Sequence, residues 1–122
     1  MTPNLIFIEH ILQNIKKVES FSKGLERNEL EENELKQYAL VRAIEVIGEA
    51  AKNMPAEFKS RYPLIPWKNI IGTRDIMIHR YFGVDLDVLW SIIKQDLPKL
   101  KEQIKEILEM ENSSSKDLGG RK

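Results

Sequence analysis

Three residues able to do phosphate or proton chemistry fall within eight positions, Arg74, His79 and Tyr81, in the stretch GTRDIMIHRYFG at residues 72–83. The chain has only two histidines, and His79 is one of them. An imidazole takes or gives a proton near neutral pH, and a guanidinium grips phosphate in planar, bidentate fashion. Together they supply what RNA cleavage without metal requires. A base removes the 2′-hydroxyl proton, an acid protonates the leaving 5′-oxygen, and a cation stabilises the phosphorane-like transition state. One histidine does not easily serve as both base and acid, so a two-fold dimer presenting a second copy is the natural completion. The competing reading is ordinary: Arg74 pairs with a carboxylate, His79 caps a helix end as a cation, and Tyr81 packs. Spacing alone favours the ordinary reading, because an arginine five residues before a histidine is common in helices.

The elements that must position these residues read as helical. Pro66 suits the first turn of a helix that starts near Trp67 and is expected to continue through His79, with Gly83 at its exit. On such a helix Arg74 and Tyr81 lie within about 20° in projection. His79 lies roughly 140° round from Arg74 and about 7.5 Å along the axis. Asp75, four residues before His79, would meet it on one face, orient the ring and favour its protonated form.

Around this segment the apolar spacing predicts a bundle. Leu5, Ile8, Leu12 and Ile15, flanked by Ile11 and Val18, form the apolar face of a first helix that ends near Gly24. ERNELEENELK (26–36) is acidic and poor in apolar residues, and reads as a loop entering an exposed first turn. From about Glu34, Leu40, Ile44, Ile47, Ala51 and Met54 make a bundle seam that Pro55 terminates; Gly48, Ala50 and Ala51 let another helix approach closely. The two prolines of SRYPLIPWKN mark a connector. Asp85 is placed to cap a last helical run through Leu86, Leu89, Ile93, Leu97, Leu100, Ile104 and Ile107, with a kink at Pro98 or a restart capped by Asp96. The expected fold is an all-α antiparallel bundle of four to five helices over residues 1–111, followed by an aperiodic, mobile tail at 112–122.

Composition narrows the function classes. A net charge of zero argues against a protein that coats nucleic acid by bulk electrostatics, while leaving room for a local basic patch. The absence of cysteine removes disulfides, thiolate nucleophiles and cysteine metal sites. Glu9 and His10 interrupt the first apolar run, so no signal peptide is read there, and no stretch approaches the ~18 apolar residues of a membrane span. A cytoplasmic protein is expected.

Other residues invite chemistry less strongly. Glu45 and Glu49 sit four apart on one helix, yet without a companion ligand cluster they read as partners for Arg42 or a cation across the bundle rather than a metal pair. His10 reads as a surface or core-edge residue. Trp67 and Trp90 read first as packing anchors, although Trp67 is near enough to the arginine to leave base stacking open. Lys94, Lys101 and Lys105 share a face that is either solvated or contacts phosphate or an acidic partner. Gly72 is a possible point of close helix approach.

AIEVIGEAAKNMP (43–55), YPLIPWKNIIGTRDIMIHRYFGVDLDVLW (62–90) and DLPKLKEQI (96–104), taken in order, resemble the HepT-like HEPN toxins from about residue 5 to residue 108. The resemblance implies a small helical homodimer acting as a metal-independent ribonuclease of a toxin–antitoxin pair. It needs no cofactor of its own. The family motif, arginine, four residues, histidine, one residue, tyrosine, falls on Arg74, His79 and Tyr81. By that resemblance Arg74 and His79 are the catalytic pair. Tyr81 accepts AMP from an MntA-like minimal nucleotidyltransferase antitoxin, which uses ATP and magnesium. The residue after the motif arginine is often asparagine in such proteins and here is Asp75, a carboxylate that repels phosphate and raises the histidine's affinity for a proton. The alternative is a non-catalytic helical binding subunit of a nucleotidyltransferase complex.

Overall fold

A computed structural model describes the backbone of residues 3–79 and 83–120, and the side chains of residues 5–73 and 84–113. Four long helical elements dominate: α1 (Pro3–Ser22), α3 (Glu34–Asn53), α5 (Trp67–Met77), and a run in which α6 (Leu86–Ser91) passes through a π-helical turn at Ile92–Asp96 into α7 (Leu97–Gly120). Two single-turn helices, α2 (Arg27–Glu32) and α4 (Ala56–Ser60), sit in the connections. The all-α bundle expected from the spacing is the fold observed.

Periodicity accounts for the packing. Leu5, Ile8, Ile11, Ile15 and Val18 of α1, the α3 seam Leu40, Ile44, Ile47, Ala51 and Met54, and Leu89, Ile93, Leu97, Leu100, Ile104 and Ile107 of the last run are all buried. α3 packs along both α1 and α5, and α7 lies against α1. α1 closes as its glycine predicts: Gly24 has φ of 71° and the Leu25 amide donates to Ser22 O at 3.0 Å. Lys36 Nζ then donates to Phe21 O at 2.6 Å, satisfying a carbonyl at that helix end. Met54 follows α3 in an extended conformation, immediately before Pro55.

Three expectations need correction. The acidic stretch 26–36 is not simply loop: α2 forms in it, with Leu30 fully buried and the Glu26 amide donating to Glu29 Oε1 at 2.9 Å. A reciprocal capping contact and a single buried leucine suffice to fix one turn. Of the two outcomes expected at Pro98, a restart capped by Asp96 does not occur. The run widens, and the Leu97 amide reaches back five residues to Ile92 O, so the ring of Pro98 is admitted without ending the helix. The third correction concerns the helix carrying the motif. α5 stops at Met77, and Ile78–His79 instead pairs antiparallel with Gly83–Val84, His79 opposite Gly83. Ile78, β-branched, sits readily in such a pair, but it is the pairing with Gly83–Val84 that ends the helix. At the far end of the chain α7 continues to Gly120, so its backbone covers most of the stretch read as an aperiodic tail.

Candidate active site

α5 carries Arg74, and its first half is held at several points. Trp67 Nε1 donates to both Lys59 O and Tyr62 O at 3.1 Å, tying the first residue of the helix to the connector. Phe58 is buried beneath that connector, with the Tyr62 ring 5.2 Å away and the Arg61 guanidinium 4.9 Å over its own ring. Tyr62 in turn donates its hydroxyl to Glu111 Oε1 at 2.7 Å, with Arg61 Nη1 3.7 Å from the same oxygen. Burial, then the hydrogen bond and charge of Glu111, push the Tyr62 phenol up to about 12.

The next anchor is a backbone contact. A Cβ at Gly48 of α3 would stand 3.2 Å from Ile70 O and 3.7 Å from Ile71 O, so glycine lets the two helices touch there. This is the close approach expected at the small residues of α3. Gly72 plays no such part: a Cβ there would meet none of the described atoms within 4 Å. Arg74 falls one turn beyond the Gly48 contact, near the end of α5, with Asp75 next to it.

Beyond Met77 the frame changes. His79 lies on a strand, two residues past the helix end, so the helical projection that related it to Arg74 does not apply. Asp75 and His79 do not share a helix face either, and the proposed carboxylate–imidazole contact loses its geometric basis. The backbone does keep Arg74, Asp75 and His79 together at one end of α5; their side chains, and Tyr81 altogether, lie outside the described residues. After the β-pair, Asp85 takes up the cap expected of it, its Oδ1 accepting from the Asp87 and Val88 amides at 3.1 and 3.2 Å. Arg27 Nη2 donates to Asp87 Oδ1 at 2.7 Å, so the short helix that the sequence reading missed braces the exit from the motif.

The remaining candidates resolve mostly into structure. Glu49 Oε1 lies 3.6 Å from Arg42 Nη1, the pairing expected in place of a metal. Among the described residues no three histidine, aspartate or glutamate side chains converge on a point. Lys101 bonds both Glu19 carboxylate oxygens at 2.9 and 3.0 Å, and Lys94 sits 4.7 Å over the Trp90 ring, so two members of the lysine face have partners within the bundle. His10 is exposed on α1.

Two hollows border α5. The larger, about 560 Å³, is floored by Ile44, Ile47, Ile70, Ile92 and Leu100, with Asn69, Thr73, Asp96 and Lys99 among its polar lining. The smaller is an open depression of about 430 Å³ between α4 and α5, lined by Ala56, Lys59, Ser60, Trp67, Lys68 and Ile71. Sequence reasoning singled out Trp67 but not the two lysines beside it. Lys68 is adjacent in sequence; Lys59 arrives only because the connector folds back.

With this arrangement in view, the comparisons are direct. The profile of the ribonuclease HepT-like family matches residues 11–107, and the chain belongs to that family. It is 45% identical over 104 residues to a Methanocaldococcus jannaschii protein named for both gamma-glutamylcyclotransferase and RNase, covering 85% of this chain. The match spans about half of that relative, 47% of its length. A Caldanaerobacter subterraneus protein named "Putative RNase" is 41% identical over 105 residues, 86% of this chain and 94% of its own. A Thermococcus cleftensis protein named "Probable ribonuclease HepT" is 40% identical over 101 residues, 83% and 92% of the two chains. No solved structure matches the chain. Among the described residues no helix is long and apolar enough to cross a membrane.

Proposed function

We propose that the protein is a metal-independent RNA endonuclease, the toxin of a type VII-like toxin–antitoxin pair. What carries the reading is the family match across 11–107, which contains the whole motif from Arg74 to Tyr81. RNA is cut by attack of its own 2′-oxygen on the adjacent phosphorus. The 2′-hydroxyl loses its proton, the P–O5′ bond breaks, and the 5′-oxygen takes a proton, leaving a 2′,3′-cyclic phosphate and a 5′-hydroxyl. Arg74 holds the phosphate and stabilises its growing charge, and His79 moves a proton. A two-fold homodimer supplies the second imidazole. A helix end followed by a β-pair supports this division of labour, because it gives arginine and histidine separate backbone supports at one end of the domain.

Control falls to Tyr81. Its phenolic oxygen attacks the α-phosphorus of ATP on a magnesium-using, MntA-like nucleotidyltransferase, pyrophosphate leaves, and AMP remains on the tyrosine. The added nucleotide fills space beside Arg74, and its phosphodiester competes for the guanidinium that RNA needs.

Incubation with RNA in EDTA tests the first claim. Wild type cleaves, and Arg74→Ala and His79→Ala each lose on the order of a hundredfold or more in rate. No cleavage at any protein concentration would instead support the non-catalytic binding subunit. For the second claim, Tyr81→Phe stays toxic in the presence of an active partner enzyme; neutralisation of that variant would mean that modification is not the control.

A further inference from the structure

Of the two hollows beside α5, the smaller shares a row of the helix with the motif arginine. Trp67, Ile71 and Arg74 follow one another in steps of four and three, so Trp67 and Arg74, seven apart, differ by about 20° in register. Pro66, Asn69, Ile70 and Thr73, which line the larger hollow, form a neighbouring row. Within the smaller depression it is Trp67 that lies in register with the proposed phosphate-binding arginine; Ile70 of the larger hollow is about 40° away, so the lining chemistry decides between the two.

Its lining is of the right chemistry for nucleic acid. One wall is an indole whose orientation is fixed, because its N–H is already committed to Lys59 O and Tyr62 O. Lys59 and Lys68 flank it, Ser60 is the other polar lining residue, and among the described residues no carboxylate lines the depression. Lys59 Nζ gives one hydrogen bond to Ala51 O at 3.2 Å, leaving further N–H donors on the ammonium; Lys68 is exposed. In a chain with no net charge, a spot with two cations and, among the described residues, no anion is a local exception. An aromatic wall between cations is how single strands are held without base pairing: bases stack on the ring and phosphates meet the ammonium groups. The volume lies within the ~300–1,000 Å³ of small-ligand sites. The larger hollow, by contrast, has an apolar floor and sets Asp96 near Lys99.

We propose that the Trp67 depression, with Lys59 and Lys68, is a subsite that holds a base and its phosphate of single-stranded RNA upstream or downstream of the cut. Seven helical residues span about 10.5 Å, the length of roughly three stacked nucleotides at ~3.4 Å each. The subsite therefore reads a nucleotide two or three positions from the scissile bond. This rests on the ribonuclease reading, and makes substrates shorter than about four nucleotides poor ones.

The test uses the whole chain, a 12-nucleotide single-stranded RNA fully 2′-O-methylated so that it cannot be cut, and an unmodified RNA of the same sequence. Lys68→Glu is the principal variant, since this side chain is exposed and its replacement leaves folding intact. Trp67→Leu is the second, checked for folding by circular dichroism because its indole also braces the connector. Lys99→Glu, on the larger hollow, is the control. Lys68→Glu is expected to weaken binding of the methylated RNA tenfold or more and to lower the slope of log Kd against log salt by about one, with the loss of cleavage read in KM rather than in kcat. Folded Trp67→Leu weakens binding similarly without changing the salt slope, and Lys99→Glu binds as wild type does. If wild type cleaves RNA while Lys68→Glu and Lys99→Glu bind equally well, the subsite is overturned and the nuclease stands. If wild type neither binds nor cuts RNA, both are overturned together.

Discussion

The two ends of α5 are built on different plans. Its first half is locked to the bundle by the Trp67 indole, by the backbone contact at Gly48, and by a connector resting on buried Phe58. Its last turn hands the chain to a two-residue β-pair and then to the Asp85 cap, braced from outside by Arg27. The first half has interior packing to fix it; what is described of the second is a strand pairing and polar contacts beyond it. In the proposed reading, Arg74 sits one turn beyond the fixed half, and His79 lies in the strand pairing past the helix end. The comparison predicts that damage at the first end costs stability, and damage at the second costs rate before it costs stability.

Gly48→Leu tests the first half with the largest expected effect on stability. Its side chain begins 3.2 Å from a main-chain oxygen that cannot rotate away, so α3 and α5 must part. Overpacking of this sort costs about 1–3 kcal/mol, read as a lower urea midpoint, and cleavage falls with it because Arg74 is one turn further along. Gly48→Ala separates crowding from chain flexibility. Its gain in helix propensity, up to about 1 kcal/mol, opposes a tight contact, so its midpoint shifts little. A Leu variant as stable as wild type would show that the helices are not held together here.

Asp85→Ala probes the other end and is smaller in stability. Losing an N-cap costs typically about 1 kcal/mol, but the cap lies two residues after Gly83, the strand partner of His79. A slight misplacement of a proton-transferring group is expensive in rate, so cleavage by a fully folded Asp85→Ala enzyme is expected to fall on the order of tenfold. Equal losses of rate in Gly48→Ala and Asp85→Ala would erase the distinction between the two ends.

The same contrast separates what was legible in the sequence from what was not. The helices of the core announce themselves because burial repeats with the helical period, as in Leu40, Ile44, Ile47, Ala51 and Met54. Gly24 and Gly48 were readable because only glycine meets a positive φ or a backbone contact cheaply. The end of α5 was not readable. Ile76, Met77 and Ile78 continue an apolar pattern compatible with helix, and what stops it is a pairing with Gly83 and Val84 beyond the local window. α2 was hidden for the opposite reason, one buried leucine among glutamates. Of the site, the motif named its residues by type and spacing, whereas the strand under His79 and the approach of Lys59 to Trp67 arise from the folded connections.

The connector that completes the fixed end carries its own pH signature, the smallest effect of the three. Tyr62 donates to Glu111, and its phenol is pushed up to about 12, so the folded state holds this proton more tightly than the unfolded chain, where a tyrosine titrates near ~10. The stabilisation is therefore complete below about pH 10 and is lost as pH rises through about 12. Tyr62→Phe keeps the ring against Phe58 and removes the titrating group. Urea unfolding from pH 9 to 11.5 should then show wild type losing stability more steeply than Tyr62→Phe, with the two curves converging at the alkaline end. All other groups are common to both proteins and cancel in the difference. Parallel curves would mean that the Tyr62–Glu111 bond adds nothing to the fixed end, leaving the Trp67 indole and the Gly48 contact to hold α5 in place.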